Sequence, residues 1–451
     1  MSEATSSTIS SVQEALWWAQ RLAPDLSNNV AGYIDVTGCV DRALLAAALR
    51  VVVAEVDVLF VNFTEEARGL RRIARDDRGW RPVFVDVSGA EDPLASAQRY
   101  MDDCLRLPFD LAGELLFRGG TIKLGEDRYF LFAIAHHIVI DGYGLGLVVR
   151  RIADVYSAMA HGRSIPDSGF AGADTIEAAE RKYRESGRFA RDRAFWESYT
   201  ADLPSPVALS GLAEPGAAHT IRHSVRLAAD EAHDLLQAAE SSGLSMPEVL
   251  AAAVAAMVHR MSGRDEFMMR LAVANRTGAA RQTPGLMSNI VPIRIDIGSG
   301  LGIGEIAGTL GAELRQVIRH ARFPFADIRR IGNPGTLLGN PFGPLLNIIP
   351  FSDDEIYLGD FGVQINALSF GPVDDLAISV FYDRHNVKSL SIEVDANGLA
   401  YGAEDLRRYG EVLTAILRGF VADPAIAVGR LDLLSVEESQ QVLRAWNDTV
   451  V

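Results

Sequence analysis

Residues Tyr129–Gly144 read YFLFAIAHHIVIDGYG, an apolar run ending in His136 and His137, with Asp141 and Gly142 three apolar residues later. Imidazole is the side chain best suited to exchange a proton near neutral pH. A carboxylate this close can orient a histidine or pair with an arginine to brace the loop. Polar groups at the end of a buried strand must be hydrogen-bonded or do chemistry. Successive strand side chains point to opposite faces, so one of His136 and His137 is expected to pack inward while the other reaches a cleft. Gly142 would let a backbone N–H approach a substrate closely, or would permit a positive φ. Adjacent histidines on a strand diverge, and only Asp141 offers a third ligand, so a metal site is disfavoured. The chain has no G-x-S-x-G elbow, which argues against covalent hydrolase chemistry.

The elements that must hold these residues follow from apolar periodicity. Arg128–Ala135 is nearly all apolar and reads as a central strand covered on both faces. Leu145–Met159 reads as an amphipathic helix, which places the histidines and the aspartate in a strand-to-helix loop on a rigid scaffold. Before them come a helix carrying Val12, Leu16 and Trp17 behind an N-cap at Ser10–Ser11, a strand Tyr33–Val36, a helix Asp41–Val53, strands Val58–Phe63 and Arg81–Val87, and a helix Asp92–Leu105. One charged helix is expected over Ile176–Tyr199. Residues 203–216, LPSPVALSGLAEPG, read as a linker that divides the chain near its middle. Beyond it, strands are expected at Ile221–Leu227, Phe267–Ala274, Gly343–Phe351 and Leu376–Tyr382, and helices at Pro247–Met261 and Ala403–Val421. Both halves run helix, apolar strand, then polar residues at the strand's end.

Composition narrows the function. With 451 residues, 48% of them hydrophobic, the chain can build two sizeable lobes. Its net charge of −16 argues against nucleic acid and anionic membrane surfaces as partners. Cys39 and Cys104 have neither metal-ligand nor disulfide-framework spacing; they read as small buried residues in a reducing cytoplasm. The N-terminus lacks the pattern of a signal peptide, and no apolar run is long enough to span a bilayer.

HHIVIDG matches the HHxxxDG signature, and the chain resembles the condensation domains of nonribosomal peptide synthetases, within the chloramphenicol acetyltransferase-like superfamily. SSVQEALWWAQRLAP is similar to the family's opening helix, and LPFDLAGELLFRGG to the segment before its catalytic strand. RDRAFWESYTADLP, GLMSNIVPIRI, HARFPFADI and GPLLNII resemble later motifs, in family order. The resemblance implies an α/β fold of two chloramphenicol acetyltransferase-like lobes, 1–205 and 206–435, arranged as a V-shaped pseudo-dimer around a central channel. The tail LDLLSVEESQQVLRAWNDTV resembles the linker, here 436–451, that leads to a downstream adenylation domain.

The resemblance implies that donor and acceptor carrier domains deliver substrates on 4'-phosphopantetheine arms, with no cofactor or metal bound to the domain itself. It implies a cytoplasmic monomer. His137 is the implied catalytic residue, as a general base or as the group that positions the amine and stabilises the tetrahedral intermediate. Asp141 is implied to be structural, with Arg276 as its partner by position. Gly142 would lie beside the reacting amine, and Asn347 would line the channel. If Met1 is the native start, the donor carrier comes from another protein. One departure is Phe60, which stands where the family usually has an arginine. VANRTG, FGPLLNIIPF and SFGPVDDLAISV are more similar to siderophore-type and aryl-accepting synthetases. The alternatives are an ester-forming or residue-modifying relative and a non-catalytic recruiting module. ANRTGAARQ stands where an epimerisation domain would carry a glutamate-rich segment, and the intact HHxxxDG speaks against heterocyclisation.

Overall fold

The computed structural model describes residues 6–67, 69–76, 79–212, 219–332, 342–351, 356–383 and 390–433. The expected linker 436–451 and residues 213–216 lie outside them.

Two mixed six-stranded sheets carry the fold. The first runs Tyr357–Leu358, Phe361–Phe370, Asn29–Thr37, Arg128–His136, Phe117–Lys123, Val83–Asp86. Arg128–His136 is central, and its residues Phe130 to His136 are buried. That is why its sequence shows no alternation: side chains on both faces are buried, and on one of them Tyr100 of the helix Pro93–Arg106 packs edge-on against Phe132. The second sheet runs Asn289–Asp296, Glu266–Val273, Leu345–Phe351, Leu376–Asp383, Leu390–Asn397, Thr220–Leu227.

Alternation in this second sheet separates two surfaces. Ile378, Val380, Ile392 and Val394 pack into one core with the helices Met246–Ser262, Ile303–Arg319 and Ala403–Ala422. The residues between them point the other way. Register places Asn347 opposite Ser379, Ser379 opposite Glu393, and Glu393 opposite Ser224, a polar row across four strands.

One strand crosses between the halves. Phe361–Phe370 follows the second sheet's Leu345–Phe351 in sequence, yet it pairs antiparallel with Asn29–Thr37 of the first sheet, from Val363 opposite Val36 to Phe370 opposite Val30. Sequence periodicity did not reveal it, because its residues are mostly half-buried and its partner lies in the other half of the chain.

Other expectations need adjustment. The single helix over 176–199 is two, Asp174–Arg184 and Gly187–Tyr199, with Ser186 starting the second. The strand expected from Val58 begins at Val61, after a 3-10 turn over Asp57–Leu59. Phe60 is a core residue, buried beside Phe63. Cys39 is exposed and Cys104 half-buried, so neither is a fully buried small residue.

Candidate active site

The strand of the histidines ends at His136. Its ring is wholly buried, with Nε2 3.2 Å from Gln20 Oε1 and Nδ1 accepting the Ile138 N–H at 3.0 Å. The backbone N–H can only donate, so Nδ1 is the bare nitrogen and Nε2 carries the proton. Gln20 Oε1 also accepts from Asn28 Nδ2 at 2.6 Å. Burial, with His137 adding to it, pushes the His136 pKa down to about 3, which favours the neutral ring.

His137 has the opposite tautomer. Its N–H donates to Asn28 O at 2.8 Å, and Nδ1 lies 3.1 Å from Ile140 O, which can only accept. Nδ1 therefore holds the proton and Nε2 keeps a lone pair. The residue is half-buried. Burial moves its pKa below the ordinary value, against an opposing pull from the Asp141 carboxylate.

Asp141 caps the helix Gly142–Ala160, with Oδ1 accepting the Gly144 N–H at 2.8 Å. Arg276 reaches it from the second half in a forked pair, Nη1 to Oδ2 at 2.8 Å and Nη2 to Oδ1 at 2.9 Å. Oδ2 also accepts the N–H groups of Met287, at 2.9 Å, and Ser288, at 2.8 Å. Burial opposes ionisation of Asp141, but Arg276 and these N–H donors outweigh it and hold the carboxyl below its ordinary range. Both side chains of the pair are only 2% exposed. Arg276 comes into place because Asn275, at φ 52°, turns the chain where Glu266–Val273 has ended; asparagine tolerates that left-handed conformation. Arg276 Nη2 also donates to Gly285 O at 2.7 Å, and its guanidinium lies 4.5 Å from the centre of the Tyr143 ring.

Gly142 is the first helical residue and has no positive φ; an added Cβ would meet only Phe370, at 3.8 Å from Cδ1. Gly144 is the constrained glycine: a Cβ there would sit 2.8 Å from the Gly285 nitrogen. Asn347 is half-buried in the polar row of the second sheet, and no hydrogen bond joins it to His137, Asp141 or Arg276. Its face nonetheless looks toward the site. Phe381, two residues along from Ser379, packs its ring 5.4 Å from that of Phe370, and Arg222 Nη1 donates to Ala367 O at 2.8 Å.

Sequence reading missed several supports. Gln20 fixes His136, and Gln13 Nε2 donates to Ile138 O at 3.0 Å. Both are polar residues of the opening helix Ser11–Leu22, a signal that they serve something beyond the helix. The Met287 and Ser288 N–H groups left no trace in side-chain types.

The condensation-domain family matches residues 3–443. The chain is 33% identical over 98% of its length to a dimodular nonribosomal peptide synthase of Bacillus subtilis (strain 168), covering 19% of that protein. It is 31% identical over 95% of its length to enterobactin synthase component F of Escherichia coli (strain K12), covering 33% of it. The chain thus spans a third or less of these relatives. The first condensation domain of the calcium-dependent antibiotic synthetase, solved with a substrate analogue, superposes with a TM-score of 0.87 at 31% identity, covering 95% of this chain and all of that one. With that match over nearly its whole length, and with HHxxxDG at the strand-to-helix loop, the chain belongs to the condensation-domain family of nonribosomal peptide synthetases, acyltransferases that form amide bonds.

Proposed function

We propose that this domain joins two tethered building blocks at His137. One carrier domain presents a donor acyl or aminoacyl thioester on a 4'-phosphopantetheine arm, and a second presents the amine of an aminoacyl thioester. The observation that carries this reading is the tautomer: Nδ1–H is committed to Ile140 O, which leaves the Nε2 lone pair for the acceptor amine. Nε2 accepts a hydrogen bond from the amine and orients its attack on the donor carbonyl. As the C–N bond forms, the nitrogen becomes strongly acidic, and Nε2 takes its proton. The C–S bond then breaks, and the donor thiolate leaves with that proton.

The remaining residues hold this geometry. Asp141 and Arg276 lock the loop, His136 anchors the strand beneath it, Gly142 lies beside the reacting amine, and Asn347 lines the facing wall. The channel lies between lobes 1–205 and 206–435, and residues 436–451 lead to an adenylation domain in a larger, cytoplasmic synthetase. The domain works as a monomer, apart from nucleic acid and membranes, and holds no cofactor of its own. Likeness to enterobactin synthase component F supports a siderophore-type setting, and VANRTG, FGPLLNIIPF and SFGPVDDLAISV favour an aryl or otherwise unusual acyl donor.

Purified carrier domains loaded with defined acyl and aminoacyl groups test the proposal by intact-protein mass spectrometry. The acyl mass should move to the acceptor carrier with the wild-type domain and stay on the donor carrier with His137→Ala. Equal product from both proteins refutes the assignment of His137.

A further inference from the structure

The second half reaches the catalytic imidazole through a residue with no side chain. Gly371 follows the crossing strand and has φ +104°. A Cβ built on it would stand 2.9 Å from His137 Cδ2 and 3.7 Å from Nε2. This is the ring edge that carries the free lone pair.

Hydrogen bonds hold the backbone on both sides of this approach. Before Gly371, Ser369 Oγ donates to Asn29 O at 2.9 Å and accepts the Gly371 N–H at 3.1 Å. Arg222 holds Ala367 O at 2.8 Å. After Gly371, Asp374 is gripped by both terminal nitrogens of Arg270, at 2.9 and 2.7 Å. On the other side, His137 is held through its own N–H by Asn28 O at 2.8 Å. The imidazole is the side chain that an added methyl meets, so it would be pushed away from Ile140 O, with the methyl left beside the Nε2 edge.

We propose that Gly371 is a positioning residue for condensation: the absence of a side chain there lets the His137 ring keep the plane set by its Nδ1 contact with Ile140 O and leaves the Nε2 edge open to the acceptor amine. The inference rests on the reading of His137 given above. Displacement of a reacting group by about 1 Å is enough to cost a large factor in rate.

Three variants test it: Gly371→Ala, His137→Ala and the double substitution. Single-turnover transfer between loaded carriers and thermal melting are measured for each. Gly371→Ala is expected to lower the maximal rate by about tenfold or more, with the KM for the acceptor carrier nearly unchanged. It should also lower Tm, and by less when His137 is alanine, because the clash partner is gone. If Gly371→Ala alone fails to fold, recovery of folding in the double variant supports the contact. A wild-type rate for Gly371→Ala overturns the proposal, as does an equal Tm loss, or equal failure to fold, in both backgrounds. Activity retained by His137→Ala would instead overturn the reading of His137.

Discussion

The Asp141 carboxylate and the Arg276 guanidinium stand 135 residues apart in sequence and form a forked, buried pair with both contacts under 3 Å. Each removes from the other the cost of burying a lone charge. The pair fixes the loop after the histidines and ties the second half of the chain to it.

Arg276→Ala should therefore destabilise the protein strongly, by about 3–5 kcal/mol, because Asp141 is left buried and uncompensated. Arg276→Lys should recover only part of this, since a lysine cannot form the fork. Urea denaturation at neutral pH measures both; a loss under about 1 kcal/mol for the alanine variant would contradict the picture.

His136 makes stability depend on pH. Its folded pKa lies near 3, below the ordinary value of about 6.5. A depressed pKa means that the unfolded chain binds the proton first, so the stabilisation is complete above about 6.5 and is lost progressively as pH falls toward 3. Wild type should take up about one more proton on unfolding at pH 5 than His136→Gln does. Denaturation midpoints at pH 7 and pH 5 give the difference, and parallel slopes would count against it.

The His137 ring should titrate below the ordinary value of about 6.5. The midpoint of its Cε1–H titration, assigned by comparison with His137→Ala, should fall on the acid side of the ordinary value. Asp141→Asn removes the carboxylate that favours the imidazolium. A titration at or above 6.5 would show that burial does not dominate this ring.

Gly144→Ala tests the close approach beneath the cap. The new methyl would meet Gly285 backbone, which cannot rotate aside, so about 1–3 kcal/mol of destabilisation is expected. Gly142→Ala meets only the Phe370 ring at ordinary contact distance and should fold with near wild-type stability. Thermal melts of the two variants separate the neighbouring glycines.

The site's own strand and loop were legible in the sequence. A nearly all-apolar run marked Arg128–Ala135, and the observed strand extends it by one residue to His136. The following helix starts at Gly142 rather than Leu145, because Asp141 caps it and two glycines disguised its first turn. The facing wall was less legible. Gly371 acquires meaning only through His137, and Met287 and Ser288 contribute backbone N–H groups, which every residue type except proline offers. The crossing strand could not be assigned to its sheet, since local alternation says nothing about a partner more than 300 residues upstream, as the Ser369–Asn29 bond is.

That strand bears on how the molecule can be cut. A fragment ending near residue 205 would lose Phe361–Phe370 and expose the open flank of Asn29–Thr37, with its row of unsatisfied amides and carbonyls. Bare flanks of this kind recruit other chains. Chimaeras that exchange only the leading half would inherit a foreign ribbon in the middle of a native sheet, so transplantable units must carry both segments together.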